Sequence, residues 1–151
     1  MTEELASHDA YLRECAALVV AAAESGVVLD RTVFYPRGGG QPGDTGRLEW
    51  DGGTAAVTDT VREQGEVLHV LAPGSTPPAG STVRAVIDWE RRHLLMRTHT
   101  ALHVLSALVW REYGAKVTGG NMEPGQARMD FELEAMSVEF GKEVEERLNA
   151  M

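Results

Sequence analysis

The chain has 151 residues, of which 43% are hydrophobic and 25% are charged. This composition is typical of a folded protein with about one or two domains. The net charge of −9 argues against nonspecific nucleic-acid binding through phosphate neutralisation. The longest clean apolar run is Ala16–Ala23, far shorter than the about 20 residues of a membrane-spanning helix. The polar N-terminus and the single cysteine, Cys15, predict a cytoplasmic protein without a secretory signal or an intrachain disulfide.

The first 88 residues contain short predicted strands separated by glycine-rich turns. Val27–Tyr35 is rich in β-branched and aromatic residues, which favours a strand. Cys15–Glu24 is ambiguous because its alanines favour a helix, but Leu18–Val20 also fits the first arm of a hairpin, and we interpret the segment as a strand. Further strands are predicted at Arg47–Trp50, Thr54–Val61, Glu66–Leu71 and Thr82–Asp88. This spacing predicts a small closed or half-closed β-barrel at residues 1–88.

A change of pattern near Asp88 predicts a second domain at residues 89–151. Trp89–Tyr113 contains neither proline nor glycine and spaces its apolar residues mostly three or four positions apart. This pattern predicts a long amphipathic helix that ends at Gly114. The remaining predicted elements are strands at Lys116–Thr118 and Ala127–Glu134, a loop at Gly119–Gly125, and a final helix capped by Ser137.

These elements predict an α+β fold, with an N-terminal β-barrel followed by a long helix packed on an antiparallel sheet that is incomplete. Two helices and about two strands provide thin cover for the apolar surface of the second domain. We therefore expect that the chain is cut short or that it packs against a partner, with a homo-oligomer as one option.

The strongest local motif for chemistry is His99-Thr100-Ala101-Leu102-His103. Two histidines at positions i and i+4 lie on one face of a helix, about one turn apart, which suits two imidazole ligands of one Zn²⁺. The motif is short, and two ordinary surface histidines would produce the same pattern. Thr100 stands where a metalloprotease has its glutamate, so the motif does not predict a protease of that type.

Two glycine-rich segments are candidate binding sites. Thr32–Gly46 could bring backbone N–H groups close to a phosphate or a ribose, although it lacks the sequence of a P-loop. Its candidate residues are Thr32, Gly38, Gly39, Gly40 and Gln41. In the second segment, Thr118 and Gly119 could form a pocket for a small side chain with the hydroxyl as a polar contact. In both segments an ordinary turn remains an alternative.

Several other polar residues are expected to be structural. His69 lies in an alternating strand and is predicted to face outward, and Cys15 is predicted to pack as a small hydrophobic residue. The arginines of Arg84–Arg97 are predicted to extend their charged ends into solvent.

The order of these motifs adds information that none of them carries singly. Leu29–Gly46, Arg97–Val109, Val117–Asn121 and Ala127–Phe131 together resemble the alanyl-tRNA editing family, which includes free-standing AlaX-type proteins and the editing region of alanyl-tRNA synthetase. The resemblance covers almost the whole chain and is closest to the free-standing type of medium length. It implies a β-barrel domain at residues 1–88 and the N-terminal part of a zinc-dependent tRNA-editing domain at residues 89–151.

The resemblance also implies an activity, the hydrolysis of the ester bond of tRNA(Ala) wrongly charged with serine or, in some members, glycine. It implies zinc ligands at His99 and His103 and a further Cys-x-x-x-His pair, which is expected beyond Met151. It further implies that the acceptor end of tRNA(Ala) contacts the glycine motif, and that Thr118 recognises the serine hydroxyl.

On this hypothesis the reactive group is a zinc-bound water, and no protein general base is assigned. Two alternatives remain open at the level of sequence. One is a non-catalytic RNA-binding module with an incomplete editing site. The other is a zinc hydrolase that acts on a small ester.

Overall fold

The computed structural model describes residues 1–132 and 138–151, which form two compact units, Met1–His93 and Leu94–Met151. The units divide five residues beyond the boundary expected near Asp88, because the first residues of the long helix pack with the barrel. None of the helices in the described ranges has both the length and the apolar character needed to cross a bilayer.

The strands of the first unit are β1 (Glu3–Glu4), β2 (Glu14–Ala23), β3 (Gly26–Leu29), β4 (Arg31–Thr32), β5 (Gly46–Trp50), β6 (Gly53–Glu63), β7 (Glu66–Leu71) and β8 (Thr82–Ile87). A short 3-10 helix at Leu5–Ser7 follows β1. Six strands form a closed antiparallel barrel in the order β2-β3-β7-β6-β5-β8. The predicted barrel is therefore confirmed, and it is closed because β8 pairs with both β5 and β2.

Alternating side chains explain why these segments form a barrel. In β2, Ala17 and Val19 are buried, whereas Leu18 and Val20 are 41% and 51% exposed. A period of two is the signature of a strand with one face on a core, so the interpretation of Cys15–Glu24 as a strand is confirmed. The barrel interior consists of side chains such as Val27, Leu29, Phe34, Leu48, Val57, Val83, Ala85 and Ile87.

The prediction of one continuous strand at Val27–Tyr35 is wrong. Strand β3 ends at Leu29, and Asp30 joins two strands: its N–H donates to the Leu18 carbonyl of β2 at 3.0 Å, whereas its carbonyl accepts the N–H of Glu3 in β1 at 2.9 Å. Strand β4 then pairs in parallel with β1. Phe34 is fully buried although it belongs to no strand, so apolar composition identified the core but not the hydrogen-bonding pattern.

The second unit contains most of a long helix, a two-stranded sheet and a second helix. Helix α1 (Trp89–Tyr113) begins in the first unit and continues into the second, with the bounds that the sequence predicts. Strands β9 (Val117–Glu123) and β10 (Gln126–Phe131) form an antiparallel pair, and helix α2 (Val138–Asn149) follows. The predicted cap at Ser137 lies outside the described residues.

The predicted loop at Gly119–Gly125 is wrong, because β9 continues to Glu123 and only Pro124 and Gly125 form the turn. Gly120 permits this close pairing, since a Cβ there would lie 2.9 Å from the backbone oxygen of Arg128. The glycines that suggested a loop instead allow two strands to approach closely.

The hairpin packs along α1, as the predicted α+β fold requires. At the hairpin turn, the N–H of Gly125 donates to the hydroxyl of Thr98 at 3.2 Å. At the open end, Phe131 packs with a buried cluster that includes Leu108 and Val109 of α1 and Val144 of α2. Strand β9 therefore runs back along the helix that carries His99 and His103.

Candidate functional site

The two predicted zinc ligands lie side by side on α1. The ring centroids of His99 and His103 are 4.9 Å apart and their planes are inclined by 15°. His99 is half-buried and His103 is exposed. The i, i+4 spacing of the sequence therefore produces adjacent imidazoles, one helical turn apart, at least one of which is open to solvent.

The centroid separation of these rings fits one shared zinc ion, whereas their stacked planes, 15° apart, would have to turn for both in-plane nitrogen lone pairs to point at it. Two ring nitrogens that each lie 2.0–2.1 Å from Zn²⁺ place the ring centroids about 5 Å apart for tetrahedral angles, close to the observed separation. Neutral imidazole is a common zinc donor. No group of three or more His, Cys, Asp or Glu residues suited to a metal occurs in the part of the chain that the structure describes. Two imidazoles are half of the donors that a four-coordinate zinc site requires.

The same face of α1 leads from the histidines to a groove. Positions 99, 103, 106 and 110 follow one another at steps of four, three and four residues, so they form one stripe along the helix. Ser106 and Trp110 line an open groove of about 300 Å³ together with Ala115, Lys116 and Val117. Trp110 is 54% exposed, so the groove offers a flat aromatic surface, and Lys116 adds a cation. We call positions 99, 103, 106 and 110 the histidine stripe.

Thr118 and Gly119 come next in β9 after Val117, which lines the groove. Val117 pairs with Phe131 and Gly119 pairs with Asp130, which leaves Thr118 as an extra residue between two paired positions. Such a bulge turns a side chain out of the regular alternation. The exposed Thr118 hydroxyl is therefore placed next to the last residue that lines the groove.

The glycine motif forms a tight turn at the first unit's surface. Gly38 and Gln41 exchange two backbone hydrogen bonds of 3.0 and 3.1 Å, and Gly39 and Gly40 between them have φ values of 58° and 81°. Positive φ at both central positions defines a type I′ turn, which strongly favours glycine. Gly39 and Gly40 are exposed, so the tip of the turn presents peptide groups without side chains.

Gly43, just after this turn, makes a close approach to β6 that only glycine allows. A Cβ there would overlap the backbone oxygen of Thr60 and lie 2.6 Å from the Asp59 carboxylate. We expect Gly43→Ala to destabilise the protein by about 2 kcal/mol or more through backbone displacement. Gly141→Ala is the matched control, since that helical position is open and alanine should stabilise it by about 1 kcal/mol. Urea unfolding measures both changes, and equal effects would contradict this interpretation.

Thr32 differs from the other candidates because it is fully buried. Its hydroxyl lies 2.7 Å from Nε2 of His69 and accepts a hydrogen bond from the backbone N–H of Phe34 at 3.0 Å. The Nδ1–H of His69 in turn donates to the Val27 carbonyl at 3.0 Å, so Nε2 accepts the proton of the Thr32 hydroxyl. The hydroxyl is thus used inside the barrel.

The prediction that His69 faces outward is wrong, since its side chain is fully buried. Strand β7 has three consecutive buried residues, Val67, Leu68 and His69, so simple alternation fails there. Desolvation lowers the pKa of His69 to about 4, although the bond to Val27 opposes the shift. The ring is therefore neutral near pH 7 and serves as a hydrogen-bonding bridge.

This buried imidazole makes stability depend on pH. Between pH 6.5 and about 4 the unfolded chain binds a proton at His69 that the folded chain does not, so stability is present above pH 6.5 and is lost as the pH falls. The loss amounts to about 3 kcal/mol. Urea titrations at pH 7 and pH 4.5 of the wild type and His69→Gln measure it. A variant with the same slope against pH as the wild type would contradict this assignment.

Arg92 is a structural residue that the sequence did not reveal. Its predicted solvent exposure is wrong, since Arg92 and Asp44 are 2% and 1% exposed and form an ion pair. The guanidinium also donates to the carbonyls of Val33 at 2.7 Å and Ala10 at 3.2 Å. The Asp44 carboxylate accepts the backbone N–H of Tyr35 at 2.8 Å. The start of α1 is therefore tied to the end of the glycine motif.

Cys15 agrees with its expected structural role. It is half-buried against the barrel core, and burial raises the pKa of its thiol despite an opposing hydrogen bond from Val33. A thiol in this state is a poor nucleophile and a poor metal ligand at neutral pH.

The comparison with protein families places this geometry in a known group. Residues 9–91 match the family model described as tRNA synthetases, class II (A), a match that covers more than half of the chain. This chain belongs to that family. The match includes the six barrel strands and the glycine turn, and it ends at residue 91, before the histidine pair.

Curated relatives extend the similarity into the second unit. The chain is 43% identical over 136 residues to the alanyl-tRNA editing protein AlaX-M of Saccharolobus solfataricus, and 41% identical over 157 residues to AlaX-M of Methanosarcina mazei. These matches cover 89% and 99% of this chain, but 58% and 62% of the relatives. It is also 42% identical over 132 residues to the alanine–tRNA ligase of Pyrobaculum neutrophilum, with 85% of this chain and 15% of the ligase covered. The resemblance predicted from the motifs is therefore confirmed, and the chain spans about three fifths of the AlaX-M proteins that it matches.

Proposed function

We propose that this protein is a trans-editing hydrolase that deacylates tRNA(Ala) mischarged with serine, and in a second role glycine, in the cytoplasm. The observation that carries the proposal is the adjacent pair His99 and His103 in a chain that is similar to AlaX-M proteins over nearly its whole length. The groove beside Thr118 supports the same function, because it offers room for an aminoacyl group near the histidine stripe.

His99 and His103 would each hold zinc through one ring nitrogen, and the other ligands would come from outside the described residues. Zinc would supply a Lewis acid for hydrolysis of the aminoacyl ester. The two donors stand one turn apart on one helix, so the metal would bring them together by rotation of the side chains without a change in the backbone. This preorganisation of the backbone lowers the entropy cost of forming the site.

Selectivity would depend on Thr118. A site that hydrogen-bonds a substrate hydroxyl rejects the analogue that lacks it far more strongly than an apolar pocket rejects a difference in size. The exposed hydroxyl of Thr118 at the bulge would accept or donate that bond for serine and leave alanine unrecognised. Backbone N–H groups near Gly119 would stabilise the tetrahedral oxyanion.

The acceptor end of the tRNA would also contact the glycine turn. The exposed peptide groups of Gly39 and Gly40 would approach the RNA backbone, since no side chain intervenes. Gly38 and Gln41 would hold that tip in shape through their paired backbone hydrogen bonds. Thr32 is fully buried and its hydroxyl is bonded to His69, so it would contribute only by stabilising the barrel from which the glycine motif extends.

The experiment is to supply the full-length gene product with Ser-, Gly- and Ala-tRNA(Ala) and to measure ester hydrolysis. We expect rapid release of serine, and release of alanine slower by at least about a hundredfold. Thr118→Val, which preserves shape and removes the hydroxyl, should reduce this preference. Binding of tRNA without release of any amino acid would instead support the non-catalytic RNA-binding module.

A further inference from the structure

A column of stacked side chains is exposed on the first unit. It consists of Tyr11, Arg13, Trp89 and His93, and we call it the Trp89 column. The rings of Trp89 and His93 are 5.5 Å apart at an inclination of 20°, and the Arg13 guanidinium carbon lies 4.7 Å from the centre of the Trp89 ring. The Tyr11 ring lies 5.8 Å from Trp89 at an inclination of 50°. These four side chains therefore form one continuous cationic and aromatic surface.

The outer members of the column are open to solvent. Tyr11 is 66% exposed and His93 is exposed, whereas Trp89 is half-buried and packs against the barrel core. One face of the His93 ring rests on Trp89, so the exposed area of His93 is its opposite face and its edge. The column thus ends in flat aromatic surfaces that nothing in the described first unit covers.

The backbone fixes this surface in place. The guanidinium of Arg92 donates to the carbonyl of Ala10 at 3.2 Å, and the N–H of Ile87 donates to the carbonyl of Arg13 at 3.0 Å. These two bonds hold the segment that carries Tyr11 against the start of α1. A rigid surface binds a ligand without paying to order its own side chains.

We propose that the Trp89 column binds RNA by stacking an unpaired nucleobase on the exposed faces of Tyr11 and His93. Every nucleobase has a flat π-face, and aromatic rings beside an arginine are the usual means by which proteins hold unpaired bases. The Arg13 guanidinium over the Trp89 ring adds a cation to these rings, a combination that sites for single-stranded nucleic acid use. The inference rests on the proposed function only in naming tRNA as that RNA.

Acidic side chains lie beside the column in the sequence, and they limit how much of an RNA ligand's affinity could come from its phosphates. The carboxylate of Asp9 accepts the backbone N–H of Tyr11 at 2.9 Å, and that of Asp88 accepts the N–H of Arg91 at 3.2 Å. These bonds fix the two carboxylates in place but leave their negative charge, so the Arg13 guanidinium is the group of the column that would attract a phosphate. Stacking, and not phosphate neutralisation, would supply most of the affinity of this acidic protein.

The test measures the Kd of the full-length protein for uncharged tRNA(Ala) and for a blunt-ended RNA duplex without unpaired bases. We expect Tyr11→Leu and His93→Leu each to weaken tRNA binding about tenfold and to leave duplex binding unchanged. Tyr11→Phe and His93→Phe keep the flat ring and should bind like the wild type. Leu12→Ala, which removes a 37% exposed apolar side chain between Tyr11 and Arg13, is the matched control.

An unchanged Kd for tRNA in both leucine variants would overturn the proposal. An equal loss on the duplex would overturn it as well, because the column would then recognise the phosphate backbone and not a base. The readout uses uncharged tRNA, so it does not depend on hydrolysis. Deacylation with an unchanged Kd would refute only the column, and base-dependent binding without deacylation would refute only the editing activity.

Discussion

Replacement of both His99 and His103 by alanine is expected to abolish zinc binding and to slow deacylation of Ser-tRNA(Ala) by at least about a hundredfold. The reason is that the stacked pair supplies both of the nitrogen donors that the described residues bring together. Zinc content of the purified protein and single-turnover release of serine measure the two effects. The single variants should each lose zinc affinity, because a site with one histidine removed is left with a water in its place.

His8→Ala is the control for this experiment, since His8 is an exposed histidine of the first unit. It should retain about one zinc per chain and full activity. If the double variant keeps its zinc and its rate, the metal is held elsewhere and the role of the helix pair is refuted. If it keeps its zinc and loses its rate, the histidines act on the substrate and not on the metal.

Arg92→Met is expected to destabilise the first unit by about 3–5 kcal/mol. The substitution leaves the Asp44 carboxylate buried without its charged partner and removes the donors to Val33 and Ala10. Urea unfolding measures the loss. The RNA binding proposed for the Trp89 column should weaken as well, because Arg92 holds the segment that carries Tyr11.

A second substitution separates the charge from the packing. Arg92→Met combined with Asp44→Asn removes both charges and keeps an oxygen that can accept the N–H of Tyr35, so it should be more stable than Arg92→Met alone. Arg47→Ala, which breaks an exposed ion pair with Glu49, should cost less than about 1 kcal/mol. A double variant as unstable as the single one would show that the lost carbonyl contacts, and not the unpaired charge, dominate.

The sequence predicted the parts of the fold that follow from local periodicity. Helix α1 was predicted with its observed bounds because Trp89–Tyr113 lacks helix breakers and Gly114, with a φ of 65°, provides the terminating left-handed residue. The barrel strands were predicted because their buried and exposed residues alternate, and β7 was found with its observed bounds. Even the ambiguous β2 was assigned correctly from its position before a turn.

The errors occurred where distant residues decide the structure. Nothing in the sequence near Arg92 shows that it pairs with Asp44, 48 residues earlier in the chain. The side chain was therefore predicted to be exposed to solvent, although it is buried. The same holds for His69, whose partners Thr32 and Val27 lie in other strands or loops. The sequence did contain one indication that His69 is buried, since the residues on both sides of it in β7 are apolar.

The candidate site shows the same division. Helical spacing alone predicted that His99 and His103 are neighbours, and the structure places them so. The groove next to Thr118 could not be predicted, because its lining residues come both from α1 and from the segment that leads into β9. The Trp89 column was equally hidden, since Tyr11 and Trp89 are far apart in the sequence.

The type I′ turn at Gly38–Gln41 has a consequence for how one nucleic acid is distinguished from another. Its tip consists of main-chain atoms from two glycines, and the main chain offers the same donors and acceptors to any nucleotide. A contact made there can set the register of a bound strand but cannot distinguish its bases. On the proposed function, the identity of the transfer RNA would therefore be recognised by side chains elsewhere on the protein.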